Sequence, residues 1–148
     1  MAVIIAALLI ITSSGGSHSS STAGAVSNAP SATRASRPAG VAAASVTVAV
    51  LNGTASNGLA HRVAQKLMGA GYKEGTVETA PEQTHTSTIV AYLPGFRRDA
   101  QAVASSLKLS ASAIQPIDQN TQAVACPPPA SCTTNVVVTV GADLTNTP

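Results

Sequence analysis

Residues 46–60 read VTVAVLNGTASNGLA and place a strand, a turn and the start of a helix in direct succession. Every second residue from Val46 to Val50 is valine, which is the period of a strand with at least one buried face. Asn52-Gly53 ends that strand. From Gly58 onward, apolar residues recur at the i, i+4 and i+8 spacing of one helical face. This stretch therefore predicts a strand-to-helix unit.

The ends of the first helix are predicted from residues that favour helix termini. Ser56 or Asn57 offers a side-chain oxygen that can accept from the unpaired N–H groups of the first turn. Gly69 and Gly71 are expected to end the helix.

Gly53 and Gly58 have the spacing of the glycines in a phosphate-binding loop. A nucleotide-hydrolysing loop continues with Lys and then Ser or Thr, whereas Leu59 and Ala60 follow here, so that activity is excluded. The dinucleotide pattern also fails, because no third glycine lies between the two. Two interpretations stay open. The glycines serve the turn alone, or the loop holds an anion through backbone N–H groups. The candidate contacts are then Asn52, Gly53, Thr54 and Gly58.

A second unit repeats this plan and defines the predicted fold. STIVAYL (87–93) is a strand, Pro94-Gly95 breaks it, and an apolar helical stripe runs from Phe96 to Leu107. Further strands are predicted at 75–80, 113–118 and 135–141. The order β-α-β-β-α-β-β predicts an α+β two-layer sandwich, with two helices on one face of a mixed four- to five-stranded sheet.

Composition divides the chain into three parts. Residues 1–12 are almost wholly apolar, residues 13–43 are rich in Ser, Ala, Gly, Thr and Pro, and residues 44–148 carry the predicted elements. The middle part is expected to be a disordered linker, because it lacks the apolar surface that offsets chain entropy. Only the last part can bury a core.

The N-terminal apolar run is too short to cross a bilayer as it stands. Eleven helical residues extend about 16 Å against a hydrocarbon core of about 30 Å. We expect that the start codon has been assigned too far downstream, so that residues 1–12 are only part of a membrane anchor. The alternative is a signal-peptide h-region with Ala23-Gly24-Ala25 as its cleavage pattern, although no basic residue precedes the run.

Charge excludes a nucleic-acid-binding role. The chain has 8 Lys and Arg against 6 Asp and Glu. Arg34 and Arg37 precede the domain, so the remaining basic residues balance the acidic ones. The chain has no basic stripe, and it has only one Phe and two Tyr that could stack on bases. Nucleic acid is therefore not an expected partner.

A resemblance to a known family rests on two motifs. VAVLNGTASNGLAHRVAQKLMGAGY (48–72) resembles the signature of the LytR C-terminal domain family, and IVAYLPGFRRDAQAVASSL (89–107) is similar to its second half. The resemblance covers residues 45–144. It implies an extracytoplasmic module of the bacterial cell envelope, often placed behind one membrane helix. The glycopolymer-transferring LytR-CpsA-Psr catalytic domain that precedes it in some proteins is absent here, so no catalytic residues carry over.

Cys126 and Cys132 flank the sequence PPPAS and are the only cysteines in the chain. Two thiols cannot complete a zinc site, and a redox-active pair favours the shorter C-x-x-C spacing. The pair predicts a disulfide, which requires an oxidising compartment outside the cytoplasm.

The remaining polar residues predict binding rather than catalysis. His61 flanks a helix, His85 lies in a polar loop, and no G-x-S-x-G elbow is present. Arg97 and Arg98 lie at a helix start, where positive charge opposes the helix dipole, so they are candidate anion contacts. The alternative is that they form a solvated face. The leading hypothesis is a non-enzymatic envelope module, without cofactor or metal, that binds a partner protein or an anionic cell-wall glycopolymer. The alternative is an anion- or nucleotide-binding regulator that uses the loop at 52–58.

Overall fold

The computed structural model describes residues 41–146. The predicted anchor at 1–12 and the predicted linker as far as residue 40 lie outside the described residues.

The described part of the chain contains five strands and three α-helices in one folded unit. In chain order they are β1 (Thr47–Asn52), α1 (Leu59–Gly69), β2 (Lys73–Thr79), β3 (Ile89–Tyr92), α2 (Arg97–Ser106), β4 (Ile114–Pro116), α3 (Gln119–Ala125) and β5 (Val136–Val140). Short 3-10 turns lie at Ala43–Ser45, Ala111–Ala113 and Ala142–Leu144. The class is α+β, as the sequence predicted.

The strands form one mixed sheet in the order β2-β1-β5-β3-β4. β1 is parallel to both β2 and β5, β3 is antiparallel to β5, and β4 is parallel to β3. All five residues of β5 are buried because this strand is central and both of its faces are covered. Pro116, which lacks an N–H donor, ends the short edge strand β4.

The larger core lies between the sheet and the helices α1 and α2, which pack on the same face. Alternate valines of β1 and β5 point into it, together with the apolar stripes of both helices. Its fully buried members include Val48, Val50, Leu59, Val103, Val136, Val138 and Val140. The predicted two-helix layer is therefore present, and it is the main source of hydrophobic stabilisation.

The opposite face carries a smaller core and a helix that the sequence analysis did not predict. Ala49, Leu51 and Val137 point to this side, where Ala125 of α3 covers them. Helix α3 was missed because QNTQAVA has seven residues and only a short apolar end, which gives no two-turn apolar stripe. The observed order is therefore β-α-β-β-α-β-α-β.

The start of α1 differs from the predicted cap. The N-cap residue is Gly58, which adopts a left-handed conformation with φ of 73° and makes no side-chain cap bond. The prediction of Ser56 or Asn57 as the cap is therefore wrong, because α1 begins at Leu59 and leaves the cap position to a residue without a side chain.

The end of α1 has the hydrogen bonds of a Schellman motif. The Tyr72 N–H donates to the Leu67 carbonyl over 3.1 Å, and the Gly71 N–H donates to the Met68 carbonyl over 2.9 Å. Gly71 has a φ of 95°. A glycine therefore ends the helix, as the sequence predicted.

Candidate functional site

The loop between β1 and α1 is closed by its own side chains. The Asn52 Oδ1 atom accepts from the Thr54 N–H and hydroxyl groups over 3.1 and 2.9 Å, and the Asn52 side-chain amide donates to the Ser56 carbonyl over 2.8 Å. The Thr54 hydroxyl in turn accepts from the Ser56 N–H over 3.1 Å. These bonds engage the side chains of Asn52 and Thr54 inside the loop.

Gly53 is held by two neighbouring segments. Its N–H donates to the Val140 carbonyl over 3.0 Å, and its carbonyl accepts from the His85 N–H over 2.9 Å. A Cβ atom at this position would lie 2.8 Å from both the Val140 oxygen and the His85 ring. Glycine is therefore required here by close backbone approach. An anion contact at this loop stays a prediction, and it depends on the backbone N–H groups at the start of α1.

Arg97 and Arg98 form the first turn of α2, and both side chains are exposed. Together with Gly95 and Gln101 they line an open depression of about 640 Å³. Within residues 41–146, the N–H groups of Arg97, Arg98 and Asp99 have no backbone partner, as is usual for the first residues of a helix. The structure therefore places two exposed arginines in the helix turn that holds unpaired backbone donors.

Cys126 and Cys132 are joined in a disulfide, and their Cα atoms are 4.9 Å apart. Cys126 is the C-cap residue of α3 and packs against the smaller core. The neighbouring Ala125 carbonyl accepts from the Thr76 hydroxyl over 3.1 Å. The disulfide therefore holds the end of α3 close to the start of β5. The end of α3 also contacts β2 through the hydrogen bond from Thr76.

A cavity on the α3 side of the sheet brings together residues that the sequence analysis did not combine. It consists of an inner part of about 120 Å³ and an outer part of about 220 Å³, which share Pro81, His85, Asp118 and Thr121. The sequence analysis placed His85 in a polar loop but assigned it no site. His61, by contrast, lies on the exposed side of α1 within 3.1 Å of the Gln65 amide.

Asp118 is the N-cap residue of α3 and forms one wall of the cavity. Its carboxylate accepts from the Thr121 hydroxyl over 2.6 Å and from the Thr121 N–H over 2.9 Å. These bonds hold the pKa of Asp118 below its ordinary value of 3.8, and the bond from the hydroxyl has the larger effect. The carboxylate is therefore ionised at neutral pH. The Asp-x-x-Thr spacing is a capping signal that was available in the sequence.

The described residues contain neither a metal site nor a membrane-spanning helix. Between residues 41 and 146, no group of three or more His, Cys, Asp or Glu side chains is arranged to hold a metal ion. None of the helices in that range combines the length and the apolar character needed to cross a membrane.

Comparison with known protein families agrees with the motifs. Residues 45–144 match the family described as "LytR cell envelope-related transcriptional attenuator". A solved structure, the solution structure of the C-terminal domain of RV0431, is similar at 25% identity and a TM-score of 0.39, covering 88% of this chain and 96% of the other. No curated protein matches the sequence. Since the family match spans most of the chain, the protein belongs to the LytR C-terminal domain family of cell envelope-related proteins.

Proposed function

We propose that this domain is a non-catalytic, extracytoplasmic module that binds an anionic cell-wall glycopolymer through Arg97 and Arg98, as an accessory to envelope assembly. The N-terminal segment at 1–12 would attach it to the membrane. Family membership supports an envelope role, and the Cys126–Cys132 disulfide supports an oxidising compartment.

The observation that carries the proposal is the surface at the start of α2. Two consecutive exposed arginines belong to the helix turn whose N–H groups are unpaired and which forms the positive end of the helix dipole, an arrangement that favours a bound anion. The depression beside them is open to solvent rather than closed around a small ligand. An open surface suits a polymer that passes over the protein.

The alternative, an anion- or nucleotide-binding regulator at the 52–58 loop, has weaker support. The side chains of Asn52 and Thr54 and the N–H of Gly53 are engaged within the protein. No basic side chain lies within residues 52–58. A nucleotide would there be held by backbone N–H groups alone.

Retention on purified cell wall tests the proposal. Exchanging both arginines for serine (Arg97→Ser with Arg98→Ser) should weaken retention, and retention of the wild type should fall as salt rises, because the screening length shortens to about 3 Å at 1 M. The matched control is Arg62→Ser with Lys66→Ser, which removes two exposed charges from α1 instead.

The control variant should be retained like the wild type. If the α2 variant also binds as the wild type does, at low and at high salt, the arginine surface is not the polymer site. A partner protein would then be the better account of the module.

A further inference from the structure

The inner part of the cavity on the α3 side is built on the sheet itself. Its floor is formed by side chains of three strands, among them Ile89, Ala91 and Thr139. Its walls are the loop after β2, with Pro81 and His85, and the first turn of α3. The cavity therefore has an apolar floor with a few polar groups, the usual composition of a small-molecule site.

Thr139 is the polar residue of an otherwise all-valine strand, and only 5% of it is exposed. Its hydroxyl has no hydrogen-bond partner in the described part of the chain. Among the same residues, no side-chain oxygen or nitrogen that is sealed from solvent lacks a partner. The Thr139 hydroxyl must therefore reach the open space of the cavity that it lines. Because the hydroxyl opens into the cavity, it is available to hydrogen-bond with a group that enters there.

His85 offers a second free polar group on a fixed support. Its backbone N–H donates to the Gly53 carbonyl over 2.9 Å, and its carbonyl accepts from the Ala142 N–H over 3.0 Å. Within residues 41–146, neither ring nitrogen makes a hydrogen bond. The backbone of His85 is thus fixed from two sides, and the residue lines both parts of the cavity.

The charges around the cavity restrict what can enter it. Glu82 and Asp118 line its outer part, whereas none of the Lys and Arg residues within 41–146 lines either part. Two carboxylates without a basic partner repel an anion and attract a cation. The inner part, of about 120 Å³, and the outer part, of about 220 Å³, together have room for a ligand of a few non-hydrogen atoms.

We propose that this cavity binds a small amino alcohol. The ligand hydroxyl bonds to the Thr139 hydroxyl and the His85 imidazole in the inner part, and the ligand ammonium lies between Glu82 and Asp118 in the outer part. This site is separate from the arginine surface of α2, and neither proposal depends on the other.

NMR titration of the ¹⁵N-labelled full chain with ethanolamine is the first test. Ethanolamine should produce saturable shifts in the amides of Ala91 and Thr139. Ethylene glycol lacks the ammonium and ethylamine lacks the hydroxyl, so each should bind at least about 5-fold more weakly. Inorganic phosphate should not bind here. If ethanolamine gives no saturable shifts, the cavity holds water only, and binding of phosphate alone would equally overturn the proposal.

Two variants connect binding to the named groups. Thr139→Val keeps the side-chain shape and removes the hydroxyl, so it should weaken ethanolamine binding at least about 5-fold while the melting temperature stays equal or rises. Glu82→Gln, on the exposed rim, should weaken ethanolamine binding but leave ethylene glycol binding unchanged.

Thr134→Val is the matched control, because Thr134 is also 5% exposed but lines a different depression beside the disulfide. It should bind ethanolamine like the wild type. Equal affinity in Thr139→Val and the wild type would contradict the proposal, and so would an equal loss in Thr134→Val and Thr139→Val.

Discussion

Gly58 and Gly69 lie at opposite ends of α1, and we expect their replacement by alanine to change stability in opposite directions. Gly58 has a φ of 73°, in the left-handed region that favours glycine. Gly69 is the last residue of the helix. A Cβ atom would meet no heavy atom within 4 Å at either position. The two residues therefore differ in backbone conformation rather than in packing.

Replacing each by alanine separates these effects. Gly58→Ala should lower the free energy of unfolding by about 1 kcal/mol, because the Cβ atom of alanine makes the left-handed conformation unfavourable. Gly69→Ala should raise it by about 0.5 to 1 kcal/mol, because alanine loses less entropy than glycine in a helix. Denaturant unfolding of both variants measures the difference. Changes of the same sign would show that backbone conformation is not the cause.

Helix α3 is too short to be stable without tertiary contacts. Isolated helices below about 12 residues are marginal in water, and α3 has seven. Besides the disulfide and the hydrogen bond from Thr76, two features hold it in place. The Asp118 cap fixes its first turn, and Ala125 packs against the smaller core at its last turn.

The Asp118 cap makes part of the stability depend on pH. The folded-state pKa of Asp118 lies below its ordinary value of 3.8 because of the hydrogen bonds from Thr121. A lowered carboxyl pKa contributes stability that is present above 3.8 and is lost as the pH falls through the lower folded-state value.

Asp118→Ala should therefore lower the free energy of unfolding by about 1 kcal/mol at pH 7, and the difference from the wild type should shrink below pH 3.8. Urea unfolding of both proteins between pH 2 and 7 measures this. A difference that is constant over the whole range would show that the ionised carboxylate does not stabilise α3.

Across the whole domain, the disulfide is the covalent link on the α3 side of the sheet. It joins residues separated by 6 positions, between the end of α3 and the segment that leads into β5. The larger core on the other side has no comparable link in the described residues and depends on burial of aliphatic side chains. The two faces of the sheet are thus stabilised by different means.

Cys126→Ser with Cys132→Ser should lower the free energy of unfolding by about 2 kcal/mol, the value expected for a closed loop of this length. Guanidinium unfolding of the variant and of the oxidised wild type measures the loss. Mass spectrometry of the exported wild type without reductant should find the peptide two hydrogens lighter than its reduced form. Two free thiols that alkylate readily would rule out the bridge in the natural compartment.

Periodicity in the sequence was sufficient for the elements of the larger core. The alternating valines of β1 and the stripe of α1 are local patterns, and each reports one buried face directly. The same holds for β3 and α2. The spacing of Cys126 and Cys132 likewise predicted a bridge between near neighbours in the chain, which the structure contains. These features are therefore visible in patterns formed by residues close in sequence.

The order of the strands and the cavity depend on contacts between residues far apart in sequence. β5, the last strand, lies between β1 and β3, and no local pattern states which strands it will pair with. Helix α3 has too few apolar residues to be recognised before the sheet face that it covers is known. The cavity combines the loop after β2, three strands and the cap of α3. Its residues come together only when the sheet has formed. Thr139 stands out as a buried polar residue only when strands on both sides cover β5.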